Sequence, residues 1–173
     1  LNWLRESTPE PFSDRDYYYA FYELPNLKPD YAVLAWWDHG YQISRVAHRV
    51  PYANPSQQQE AINSIAWIFL SQEPTIAIDW ITYMRVKYVM VDYSLTGADH
   101  FSRFWAMVRW AGGNDSEYAG IYYQRTGQDL KRHQLYYPEY YRSMIVRLYN
   151  FNGRASTPEL VQVISYENRV KPQ

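Results

Sequence analysis

The chain has 173 residues, enough for one domain with its own core, and 47% of them are hydrophobic against 20% charged. Its net charge of −1, from 17 basic and 18 acidic residues, lacks the basic excess of a nucleic-acid-binding surface, and the absence of cysteine excludes disulfides and thiolate metal sites. Aromatic residues reach 18%, with 19 Tyr and 7 Trp, which fits either a core and surface of large amphipathic rings or an aromatic surface for sugar or peptide.

Residues 1–7 predict a short helix, stopped by Thr8-Pro9-Glu10-Pro11 because each proline disfavours helix before it. The chain starts in helical pattern without an initiator Met, and reads as a piece of something longer. Residues 12–30 are polar and Tyr-rich, with Pro25 and Pro29, and predict mostly loop. The apolar run 31–36 suits a buried strand, and a helix over about 41–48 would put Ile43, Val46 and Ala47 on one face.

Ser56-Gln57-Gln58-Gln59 has the capping-box pattern and opens a helix to about Leu70, with Ala61, Ile62, Ile65, Ile68 and Phe69 inward. A second helix runs from Pro74 to near Met84, and 86–91 reads as a second buried strand. Residues 99–110 predict a helix halted by Gly112-Gly113, 120–125 a short strand, 139–149 a helix and 160–166 a final strand. The fold class is therefore α+β, a single globular domain with a helix-rich core and a few short strands. No apolar run approaches the ~20 residues that cross a bilayer, and no signal peptide is visible.

Trp36-Trp37-Asp38-His39-Gly40 is the most informative stretch. A strand would deliver two adjacent indoles to opposite faces, followed by an acid and a glycine that permits a sharp turn. Asp38 only accepts hydrogen bonds and each indole N–H only donates, so together they can hold a hydroxyl, which does both. The same residues also fit two core tryptophans and an Asp that caps the next helix.

The cluster resembles the Trp-Trp-Asp-Tyr-Gly signature of oligosaccharyltransferase catalytic subunits, with His39 in place of the Tyr. The flanks are similar too. Trp3-Leu4-Arg5-Glu6-Ser7-Thr8-Pro9 resembles the family's Trp-Leu-Arg-x-Asn-Thr-Pro segment, and Gly40-Tyr41-Gln42-Ile43 fits the pattern. Val86-Lys87-Tyr88-Val89-Met90-Val91 and Ser143-Met144-Ile145-Val146-Arg147-Leu148-Tyr149 are similar to later family segments.

The resemblance implies that residues 1–173 are the C-terminal soluble domain of a longer membrane protein, in which the N-terminal transmembrane part does the chemistry. It implies that Trp36, Trp37 and Asp38 bind the Ser or Thr of an Asn-X-Ser/Thr acceptor. A second family motif, Asp-x-x-Lys-x-x-x-Met, falls on His100, Arg103 and Met107; only Met107 is the family residue, and Arg103 keeps the charge of Lys without its shape. An ordinary amphipathic helix with Phe101, Phe104, Trp105 and Val108 inward also accounts for that stretch.

The whole enzyme is expected to transfer an oligosaccharide from a polyprenol (pyro)phosphate to asparagine, on the extracytoplasmic face of the membrane. Its divalent metal, Mn or Mg, is expected in the membrane part, so this fragment is assigned no catalytic residue, metal or cofactor and is expected to be inactive. Its partners would be the acceptor polypeptide, the lipid-linked donor and its own transmembrane region, with no nucleic acid. A free carbohydrate-binding module and a purely structural extracytoplasmic domain are the rival readings.

Other patterns are weaker. Asp14-Arg15-Asp16 has a metal-type spacing in a polar loop, and Ser44, His48 and Asp38 imitate a triad without a Gly-x-Ser-x-Gly elbow. Asn114-Asp115-Ser116 is itself an Asn-x-Ser acceptor triplet.

Overall fold

The computed structural model describes residues 1–14, 28–97, 102–156 and 164–167. Helix α1, Asn2–Ser7, precedes strand β1, Ala32–Leu34. Beyond β1 the chain coils through a 3-10 turn, Trp37–His39, one α turn, Gly40–Gln42, and a π turn, Ile43–Ala47. Helices α2, Gln59–Leu70, and α3, Pro74–Tyr83, then cross to strand β2, Val86–Val89, which pairs parallel with β1. Helix α4, Arg103–Trp110, is followed by the antiparallel hairpin β3, Ala119–Thr126, and β4, Asp129–Tyr136. Helices α5, Pro138–Arg142, and α6, Met144–Phe151, follow. The two sheets are small and the helices supply most of the core, as the α+β expectation requires.

β1 explains its own apolar sequence. Leu34, with Trp36 beyond the strand end, packs into the large cluster with Ile62, Ile65, Phe69, Phe104, Met107 and Ile145. Val33 and Ala35 face a second cluster with Leu4, Tyr31, Ile43 and Ala47. Because side chains alternate, a strand buried on both faces must be apolar at every position. Among the described residues β2 pairs with β1 alone, and its Lys87 and Val89 are exposed, so it is half-buried rather than the buried strand its sequence predicts.

Several boundaries differ from the sequence expectations for local reasons. The Ser56 capping box does not form: the Ser56 amide donates to Asn54 Oδ1 at 2.8 Å and Gln57 takes φ +57°, so α2 begins after Gln58. Ala61 is only half-buried, while Ile62, Ile65, Ile68 and Phe69 face inward. In the widened π turn residues four apart share the buried side, so Ile43 and Ala47 are buried and Val46 is exposed.

α4 starts at Arg103, where the Ser102 hydroxyl accepts from the Phe104 amide at 3.2 Å; the expected first turn from Asp99 lies in part outside the described residues. The helix expected over 139–149 is broken at Ser143, whose ψ of 139° is not helical and whose hydroxyl donates to the Tyr140 carbonyl at 2.6 Å. Residues 164–167 have no regular structure, and the rest of the expected last strand, like most of the loop over 12–30, lies outside the described residues.

β4 was not anticipated, because Asp-Leu-Lys-Arg-His-Gln-Leu-Tyr shows no apolar alternation. Its register is set by the two-residue turn Gly127-Gln128, in which Gly127 takes φ +65° at the first central position, as a type II′ hairpin turn requires.

Arg49 ties α1 to the rest of the fold. It is 1% exposed. Its Nη2 donates to the carbonyls of Arg5 at 3.0 Å and Thr8 at 2.6 Å, its Nε to Thr8 Oγ1 at 2.7 Å, and its Nη1 to Glu10 at 3.1 Å and the His48 carbonyl at 2.9 Å. This is where the Trp-Leu-Arg-Glu-Ser-Thr segment meets the core: its C-terminal carbonyls, which a helix end leaves unpaired, are satisfied by one buried guanidinium.

Candidate acceptor site at the end of the first strand

β1 ends at Leu34, so the strict alternation of a strand no longer governs Trp36 and Trp37. Both indoles pack on the large cluster, with ring centroids 6.4 Å apart and an interplanar angle of 53°, rather than on opposite faces. Trp36 is 2% exposed and belongs to the core; Trp37 is only partly buried and packs against the edge of that core. Gly40 has φ −55° and ψ −49°, ordinary helical values, so its glycine is not there for a sharp turn. A Cβ there would lie 2.4 Å from Asn54 Cα and 2.5 Å from the Ala53 carbonyl oxygen, and close approach of the two backbones is what requires glycine.

The 3-10 turn places Asp38 opposite the first turn of α4. Arg103 Nε meets Asp38 Oδ2 at 2.6 Å. From there a ring of polar groups closes. Arg103 Nη1 donates to the Ser94 hydroxyl, which donates in turn to Asp92 Oδ1, and the Ser94 amide donates to the same oxygen at 2.7 Å. His39 Nε2 bonds Asp92 Oδ2 at 2.7 Å and lies 3.7 Å from Asp38 Oδ1. Burial pushes the Asp92 carboxyl up, but the hydrogen bonds from the Ser94 hydroxyl and amide, together with His39, outweigh it and hold it below its ordinary value.

Two atoms of this cluster are left over. Trp37 Nε1 and Asp38 Oδ1 are buried and have no hydrogen-bond partner among the described residues. Each such orphan costs about 1–3 kcal/mol. One needs an acceptor and the other a donor, and a hydroxyl group is both. Both atoms are covered from water, so a hydroxyl enters only with a local shift of the side chains around them.

Of the expected second-motif residues, Arg103 is brought onto Asp38, Met107 lies one turn further along α4 and is fully buried in the core, and His100 lies outside the described residues. Asp92 and Ser94 were missed by sequence reading, since nothing in Val91-Asp92-Tyr93-Ser94 marks them apart from a loop after a strand. Of Asp14-Arg15-Asp16 only Asp14 is described. No group of three or more His, Asp or Glu able to hold a metal occurs among the described residues, and none of their helices is long and apolar enough to cross a membrane.

The family described as the AglB core domain matches residues 1–96. The chain is 30% identical over 186 aligned residues to dolichyl-phosphooligosaccharide-protein glycotransferase 3 of Archaeoglobus fulgidus, covering 88% of this chain and 21% of that one. The chain thus spans about a fifth of that relative's length.

Solved structures share the fold, among them the following two. The C-terminal globular domain of an oligosaccharyltransferase from the same organism superposes with a TM-score of 0.63 at 22% identity, covering 90% of this chain and 83% of that domain. An archaeal oligosaccharyltransferase from that organism, in complex with an inhibitory peptide and a dolichol-phosphate, gives a TM-score of 0.62 at 26% identity, over 88% of this chain and 21% of that one.

Proposed function

The chain belongs to the AglB core domain family, and we propose that within a larger oligosaccharyltransferase it reads the Ser or Thr of an Asn-X-Ser/Thr acceptor. One observation carries this reading: the indole N–H of Trp37 and Oδ1 of Asp38, on adjacent residues, are both buried without a hydrogen bond, a donor and an acceptor of the kind that a hydroxyl group pairs with. A peptide with Ala in place of Thr leaves both orphaned, and a site with unpaired buried polar groups rejects such an analogue strongly. Trp36 supports Trp37 from the core, while Arg103 fixes the carboxylate through its other oxygen.

The rest of the enzyme's work is assigned elsewhere. The dolichol-phosphate and peptide bound by the structural relative support a lipid-linked oligosaccharide donor and a polypeptide acceptor. Transfer of the glycan to asparagine, with a divalent metal such as Mn or Mg, belongs to a transmembrane part joined to this domain, on the extracytoplasmic face of the membrane. No residue of this chain takes a chemical step in that scheme.

The test is glycosylation by the full-length enzyme, comparing wild type with Trp37→Ala and Asp38→Ala on Asn-X-Thr and Asn-X-Ala peptides. Folded variants are expected to lose activity on the Thr peptide down toward the Ala-peptide level. Unchanged discrimination in both variants overturns the assignment and leaves the cluster an architectural one.

A further inference from the structure

A second feature lies at the opposite end of α4 from Arg103. On α2, Gln59, Asn63 and Trp67 follow one another at four-residue spacing and so form one stripe on the helix surface. With Arg109 and Trp110 at the end of α4 they line an open cleft of about 540 Å³. Arg109 is six residues from Arg103, about 9 Å along the helix axis.

The side chains of the cleft have a consistent chemistry. Trp67 is 52% exposed, although its neighbours Ile65, Ala66 and Ile68 are buried. Its N–H donates to the Ala111 carbonyl at 3.1 Å, which fixes the ring as an exposed platform. Beside it stand two carboxamides and a guanidinium, planar groups that donate or accept at fixed angles. The Asn63 side-chain oxygen is buried and has no hydrogen-bond partner among the described residues. Arg109 is paired with Asp115 at 3.2 Å, so the cleft carries no uncompensated charge that would select a polyanion.

We propose that this cleft is a saccharide-binding groove. A sugar ring offers an apolar C–H face, which an indole covers, and a rim of hydroxyls that both donate and accept, which carboxamides and a guanidinium match. An open, shallow cleft suits such a ligand, whereas an apolar peptide side chain or a lipid tail needs an enclosed pocket. The inference is independent of the acceptor site at Asp38.

Two sources can supply the sugar. One is the oligosaccharide of the lipid-linked donor. The other is this chain itself: a neighbouring cleft shares Arg109 and Gly112 with the groove and contains Asn114, the first residue of Asn114-Asp115-Ser116. Asn114 is exposed, so a glycan attached there would start beside the groove.

The experiment titrates the chain, made in a host without N-glycosylation, with maltotriose, mannotriose and chitotriose while following the tryptophan indole N–H resonances by NMR. The Trp67 signal, assigned from its loss in Trp67→Phe, is expected to shift saturably with at least one sugar. Trp67→Ala is expected to weaken binding at least about tenfold, as truncating a central aromatic anchor does. The exposed Gln59→Ala is the second variant and should weaken binding without affecting folding.

A further arm uses chain glycosylated at Asn114. A Trp67 resonance already shifted without added sugar, and restored by Asn114→Gln, assigns the groove to the chain's own glycan. An unshifted signal that still responds to added trisaccharide assigns it to an external one. No response to any of the three sugars, with no shift in the glycosylated chain, overturns the proposal. The readout is direct binding and requires no transferase activity, so its failure is distinguishable from failure of the acceptor-site reading.

Discussion

Arg103 meets Asp38 through Nε at 2.6 Å on Oδ2 and leaves Oδ1 of the same carboxylate without a hydrogen bond, with His39 Nε2 3.7 Å away from it. The ion pair thus fixes the orientation of the acid without consuming its acceptor capacity. Its second hold, Nη1 on the Ser94 hydroxyl, uses the fork of the guanidinium, which an ammonium cannot copy. Arg103→Lys should therefore raise the KM for an Asn-X-Thr peptide by about tenfold, a loss of roughly 1.4 kcal/mol, with a smaller effect on kcat. Steady-state kinetics of the full-length enzyme checks this; an unchanged KM means that Asp38 is oriented by its backbone alone.

Asp92 makes a pH prediction. Its carboxyl is held below the ordinary value in the folded chain, so it adds stability that is fully present above the unfolded-state pKa and is lost as pH falls through the folded-state value. That places the loss below about pH 4. Acid unfolding followed by circular dichroism should show a shallower decline in that range for Asp92→Asn than for wild type. Superimposable acid limbs would show that Ser94 and His39 contribute nothing to holding Asp92 charged.

The Arg49 side chain donates six hydrogen bonds, and removing it leaves the Arg5 and Thr8 carbonyls without their buried donor. Arg49→Met is expected to destabilise the chain by about 3–5 kcal/mol, in line with breaking a buried charged network. Thermal unfolding should register this as a drop in Tm of roughly 10 °C. A change of only a degree or two would mean that α1 is held by its apolar contact at Leu4 instead.

Gly40→Ala tests close packing against helix propensity. At a helical φ and ψ, alanine is normally better than glycine by about 1 kcal/mol. Here its Cβ would sit 2.4 Å from Asn54 Cα and 2.5 Å from the Ala53 carbonyl oxygen, both backbone atoms that cannot swing away. The variant should be less stable by about 1–3 kcal/mol in chemical denaturation. A stabilised variant would show that the two backbones separate freely.

Much of the fold is visible in the sequence where a residue's role depends on near neighbours. The apolar run of β1, the periodic face of α2 and the proline at the start of α3 are local signals, and each element formed close to its expected place. The hairpin partner β4 and the break at Ser143 were not visible, since one depends on a strand across a turn and the other on a hydroxyl turned back onto Tyr140. At the candidate site, Trp37 and Asp38 stand out as a rare adjacent pairing, but their partners Asp92, Ser94 and Arg103 are more than fifty residues away in the chain.

By itself, then, the sequence determined which residue types are present at the site and which elements carry them, because periodicity, capping and turn chemistry act over a few residues. Only the tertiary structure decided that Trp36 is core while Trp37 is not, that Gly40 is required by a neighbouring backbone, and that Arg103 occupies one oxygen of Asp38 and spares the other. Those outcomes depend on distances between segments remote in sequence, and such distances are set by how the helices and β1 pack together around a shared core.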